Sequence, residues 1–157
     1  MKRLVSMAAA TAALCVMACV SLGPTKVPRC SPNAHPVELP ARDFVADYAY
    51  QLDAPAAVAS LRIVAEKTGG RLVLVGFNEF GVKAFSLTQA EGQVEVVRNL
   101  GPLLAVDPSN VLEDLGYARF LEGEAPGSSV TVDRRSCGYR VRIESLSGGT
   151  ARASGSL

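Results

Sequence analysis

Few side chains in this 157-residue sequence are of types that do chemistry by themselves. There are four cysteines, Cys15, Cys19, Cys30 and Cys137, and one histidine, His35. Cys15 and Cys19 stand four apart in CVMACVSLG, a spacing that elsewhere suggests a metal site or a redox pair. Here they lie in an apolar run with no nearby histidine or second cysteine pair to complete a ligand set. A cysteine–histidine nucleophile would have to recruit His35 from among prolines. Glu113 and Asp114 are neighbouring carboxylates, but adjacent helix positions diverge by about 100° and do not face one another. No G-x-S-x-G stretch and no histidine-centred triad occurs. The expectation is a protein without enzymatic activity, metal or catalytic cofactor.

The start of the chain carries an address. Lys2 and Arg3 precede an apolar run from Met7 to Ala18 that is broken only by Thr11. That run is shorter than the ~20 residues of a membrane-spanning helix and fits a secretory signal peptide. Val16-Met17-Ala18-Cys19 resembles the lipobox of bacterial lipoproteins: an aliphatic residue, a tolerated position, a small residue, then cysteine. The resemblance implies that residues 1–18 are removed and that the Cys19 thiol carries diacylglycerol. Cys15 fits poorly, because bulky Leu14 precedes it. An ordinary signal, or an uncleaved anchor with a chance cysteine, is the alternative. Several acyl chains hold a protein on a bilayer where a single one binds only marginally. Val20 and Ser21 lack the aspartate of an inner-membrane retention signal, so the lipoprotein resemblance implies an outer-membrane protein facing the periplasm.

Loss of Lys2 and Arg3 turns the formal charge from +1 to −1. No basic excess then points to nucleic acid. The remaining length suits one domain. With Cys15 removed and Cys19 acylated, Cys30 and Cys137 are left in an oxidising compartment, which favours a disulfide between them. Two separate buried thiols are the alternative. Chain entropy alone would put a bridge across about 100 residues near 4.7 kcal/mol.

The elements that must position these groups can be read from periodicity. Residues 19–40 contain Pro24, Pro28, Pro32, Pro36 and Pro40 and are expected to form an extended tether. Ala41–Leu52 suits a strand, with a short helix almost as acceptable. Leu61, Ile63 and Ala65 alternate with Arg62, Val64 and Glu66, Arg71–Phe77 is apolar on both faces, and Val82–Thr88 and Val94–Val97 follow after short turns. Such a succession implies an antiparallel meander. Asp107 is an N-cap candidate, Pro108 suits the first helical position, and Val111, Leu112, Leu115 and Ala118 make an apolar face. The helix is expected to end near Phe120. Val130 and Val132 begin another strand, and Tyr139, Val141 and Ile143 alternate in a last one. The predicted class is α+β: a curved antiparallel sheet or incomplete β-barrel spanning residues 41–147, with a helix packed against or capping it. Residues 148–157 form a tail that is expected to be disordered.

GRLVLVGFNEFGVKAFSLTQAEGQVEV, the helix LLAVDPSNVLEDLGYARFL and the closing strand GYRVRIES together resemble a group of bacterial lipoproteins. Those are related in pattern to the outer-membrane lipoprotein receptor LolB and its periplasmic carrier LolA. The resemblance implies a hydrophobic cavity that takes acyl chains. Leu61, Ile63, Leu72, Leu74, Phe85 and Leu87 are the candidates to line it, with simple core packing the alternative for each. Arg134, Arg135, Arg140 and Arg142 are expected on a solvated sheet face or against lipid headgroups. The expected partners are the bacterial membrane, acyl chains or lipoproteins, and other envelope proteins. Two functions follow: lipid binding in envelope transport, or a lipid-tethered module that stabilises an envelope complex through its sheet edge or linker.

Overall fold

A computed structural model describes residues 26–31, 34–55, 57–100, 104–121 and 125–147. Cys15, Cys19 and the expected signal and tail lie outside these residues. Strands form where the chain alternates. β1 (Phe44–Ala54) buries Phe44, Ala46, Tyr48, Tyr50, Leu52 and Ala54 on one side, so the ambiguous segment is a strand. β2 (Ala57–Thr68), β3 (Arg71–Phe77), β4 (Lys83–Ala90) and β5 (Gln93–Arg98) make the expected meander. β6 (Ser129–Arg134) and β7 (Tyr139–Ser145) complete a seven-stranded sheet in the order β5-β4-β3-β2-β1-β7-β6. Every neighbouring pair is antiparallel. The sheet is not closed: β5 and β6 are its edges. Between β4 and β5, Glu91 and Gly92 both take positive φ, 50° and 72°, the requirement of a tight primed turn.

The helix, α1 (Pro108–Tyr117), starts as the sequence dictates. The Asp107 side chain accepts the Ser109 N–H at 2.9 Å, and Pro108 occupies the first turn, where its missing N–H costs nothing. Val111, Leu112 and Leu115 are fully buried beneath it. The helix stops earlier than expected. Arg119, Phe120 and Leu121 all adopt positive φ, between 45° and 50°, in a short left-handed turn. Left-handed backbone costs about 1–2 kcal/mol per non-glycine residue. Here the Tyr48 hydroxyl donates to the Phe120 carbonyl at 2.7 Å, and the Phe120 ring packs at 5.8 Å from that of Phe44.

The expected tether is extended, but residues 26–31 and 34–40 are not a free spacer. They lie along the helix and sheet as a strap. Val27 is buried and its N–H donates to the Ala105 carbonyl at 2.8 Å. Asn110 of α1 accepts the Cys30 N–H and donates to the Pro28 carbonyl. Gln89 of β4 does the same for both backbone groups of Val37, at 2.9 and 2.7 Å. Prolines lack the N–H of a continuous ladder, and buried side-chain amides satisfy the backbone of Pro28, Cys30 and Val37 instead.

Candidate functional site

The six cavity candidates converge. Leu61, Ile63, Leu72, Leu74, Phe85 and Leu87 all point to the covered face of the sheet and are buried in one core with the underside of α1. Leu74 pairs with Leu87 across β3 and β4, and Gly76 with Phe85. Gly76 leaves room for the Phe85 ring, since a β-carbon there would meet ring atoms at 2.2 Å. Of the six, Leu61 keeps the most exposure, 7%, and the others have 1% or none. Leu61 also borders a cleft of about 450 Å³ beside the β3–β4 turn.

A polar cluster sits within this apolar contact. Asp114 projects from α1 into the core and is 0% exposed. Its Oδ2 accepts hydrogen bonds from the hydroxyls of Tyr50 on β1, at 2.7 Å, and Tyr139 on β7, at 2.9 Å. Its Oδ1 faces Arg134 Nε of β6 at 3.5 Å, without the two meeting as a hydrogen bond. The Arg134 guanidinium also donates to Glu113 and lies 4.7 Å from the centre of the Tyr117 ring. Arg134 is therefore not part of a solvated arginine face; Arg135, Arg140 and Arg142 are exposed and stand beside Asp133 or Glu144.

Burial raises the Asp114 carboxyl to about 6, against the opposing pull of Tyr50, Tyr139 and Arg134. Burial, with the Asp114 charge next in weight, likewise raises both phenols, so they remain neutral donors. Enclosed on all sides, the carboxylate pins the helix to three strands. Helix spacing could have revealed it: Asn110 and Asp114 stand at i and i+4, beside the apolar pair Val111 and Leu115. Glu113 and Asp114 indeed diverge, and Arg134 bridges them.

The strap closes the other side. Cys30 and Cys137 form a disulfide, and the Tyr139 hydroxyl lies 3.6 Å from Cys30 Sγ. Between strap and helix run two clefts, of about 410 and 440 Å³, which share Glu38 and Gly116. The first is bordered by Leu39, Arg119 and Phe120, the second by His35, Glu113 and Tyr117. Gly116 lets the strap approach, since a β-carbon there would meet Val37 at 3.0 Å. Among the described residues, no three His, Cys, Asp or Glu side chains are grouped to hold a metal. No helix among them is long and apolar enough to cross a membrane.

Residues 49–120 match the family described as "Protein of unknown function (DUF3261)". The match runs from within β1 to the left-handed turn, so it includes the six core candidates and Asp114. The strap, β6 and β7 lie outside it, and with them Cys30, Cys137, Arg134 and Tyr139. No curated protein and no solved structure matches the chain.

Proposed function

We propose that this is a non-enzymatic lipoprotein, held on the periplasmic side of the bacterial outer membrane by acyl chains on Cys19, that binds lipid acyl chains between α1 and its sheet. In this reading the sheet is an incomplete barrel of the LolA/LolB kind, and α1 is its cap. One observation carries the proposal. The apolar face of an unclosed sheet is covered in part by a ten-residue helix that ends in a left-handed turn, with Phe120 bordering a cleft beside it. An acyl chain would enter there, displacing Phe120 from Phe44 and lying against the six core residues. The family match adds no activity.

A second reading has its own observation. The six candidates are packed against side chains, and β5 and β6 leave strand edges open. These favour a tethered module that meets other envelope proteins through a sheet edge. One experiment separates the two. Displacement of a fluorescent fatty acid from the full chain, with native mass spectrometry, should show one bound acyl chain. The same assay on Phe120→Trp should show a change in indole emission on binding. A chain that binds no fluorescent probe and carries no lipid beyond its covalent anchor overturns acyl binding and favours the interaction module.

A further inference from the structure

We propose that the surface carrying Lys26, Arg29 and Arg98 is the face this domain turns to its membrane, docking there on phosphate-bearing lipid headgroups. The inference rests on the proposed acylation of Cys19 for its geometry and on a separate cleft for its chemistry. That cleft, of about 220 Å³, is walled by the three cations and Asp107, with Val27, Leu104 and Val106 along its apolar side. The Asp107 carboxylate is already engaged. Its Oδ1 accepts the Ser109 N–H, and its Oδ2 accepts from Arg29 at 3.1 Å and Arg98 at 3.0 Å. Burial opposes ionisation of this carboxyl, but the Ser109 N–H and the two guanidinium groups outweigh it and hold the group below the ordinary carboxylate range. Three cations against one committed carboxylate leave the cleft a net charge of +2. Cations over an apolar side suit a phosphodiester above the first carbons of its lipid.

Position selects the membrane as the occupant. Lys26 opens the described chain, and only six residues stand between it and Cys19, a span of seven residue steps. Fully extended, seven residues reach about 25 Å. An acyl anchor at Cys19 would keep the cleft that close to the headgroups and, with rotation of the domain, bring it inside the ~10 Å over which surface charge is felt at moderate salt. Tethering supplies a high effective concentration, so the patch need not bind strongly by itself. The other arginine group is more nearly balanced: three arginines stand against two carboxylates, Arg135 and Arg140 on Asp133 and Arg142 on Glu144.

The test is hydrogen exchange on the membrane-extracted mature chain. It is reconstituted in nanodiscs of phosphatidylethanolamine with phosphatidylglycerol, and separately in nanodiscs of phosphatidylcholine. Exchange in residues 26–31 and 98–100 should slow by roughly fivefold or more on the anionic bilayer. The effect should vanish on phosphatidylcholine, in about 0.5 M salt, where the Debye length is short, and in the double variant Lys26→Glu, Arg98→Gln. Unchanged exchange across β1–β4 reports that the variant is folded, and the lipid and salt arms need no variant. Equal protection on both bilayers, or none on the anionic one, overturns docking. Intact mass separates the premise: a chain without the acyl increment overturns acylation and the docking geometry with it, whereas an acylated chain without protection overturns docking alone.

Discussion

Asp114 sets the terms at the scale of single residues. A carboxyl with no exposed surface, two phenol donors on one oxygen and an arginine 3.5 Å from the other is raised to about 6 from an ordinary 3.8. The folded state then holds this proton more tightly than the unfolded chain does. Stability from the group is fully present below about pH 4 and is lost as pH rises to about 6, by ~3 kcal/mol for a shift of about two units. Asp114→Asn keeps an acceptor for the tyrosines and removes the titration. Urea unfolding of both proteins from pH 4 to pH 7 should therefore show the wild type losing about 2 kcal/mol relative to the variant across that range. A difference independent of pH would mean that the carboxyl is not perturbed. Gly76 gives a second prediction of this kind. A methyl at position 76 would overlap the Phe85 ring, so Gly76→Ala should cost about 1–3 kcal/mol of overpacking. The loss would appear as a lower urea midpoint with an unchanged slope.

At the scale of elements, the sheet and helix were legible because their signals are local. Alternation along Leu61–Ala65 and Tyr139–Ile143 placed β2 and β7, and Asp107 with Pro108 placed the start of α1 to the residue. The end of α1 was not legible. No glycine or proline follows Tyr117 directly, and the left-handed turn at Arg119–Leu121 is held by Tyr48 and Phe44, partners more than sixty residues away. The docking of the strap was not legible for a similar reason. Proline spacing correctly excludes helix and ladder, but says nothing about what the extended chain lies against. That is decided by Asn110 and Gln89, whose amides occur singly in segments otherwise read for their apolar face. Asn110→Ala should leave the Cys30 N–H and the Pro28 carbonyl without partners. The expected cost is about 1–3 kcal/mol for each group kept from water. Amide exchange in residues 26–31 should rise while β1–β4 stay protected; unchanged exchange there would mean that the strap is held by other contacts.

At the scale of the whole molecule, the Cys30–Cys137 bond closes a loop of 107 residues running from the strap to the turn before β7. Nearly every described element lies inside that loop, including the helix, five strands of the sheet and β6. Two consequences of cutting it can be told apart. Chain entropy says that the bond acts mainly on the unfolded ensemble, so its loss should lower global stability, by about 2–5 kcal/mol for a native disulfide in a small domain. If instead the bond served only to hold the strap down, its loss would open residues 26–31 and leave the sheet as stable as before. The hydrogen bonds of Asn110 and the buried Val27 already hold that part of the strap independently, which favours the global effect. Cys30→Ala, Cys137→Ala should accordingly unfold in one transition at a lower urea midpoint. Exchange should rise across β1–β4 in step with the global loss, rather than in the strap alone. A double variant with an unchanged midpoint and a selectively open strap would show that the bridge is a local clasp.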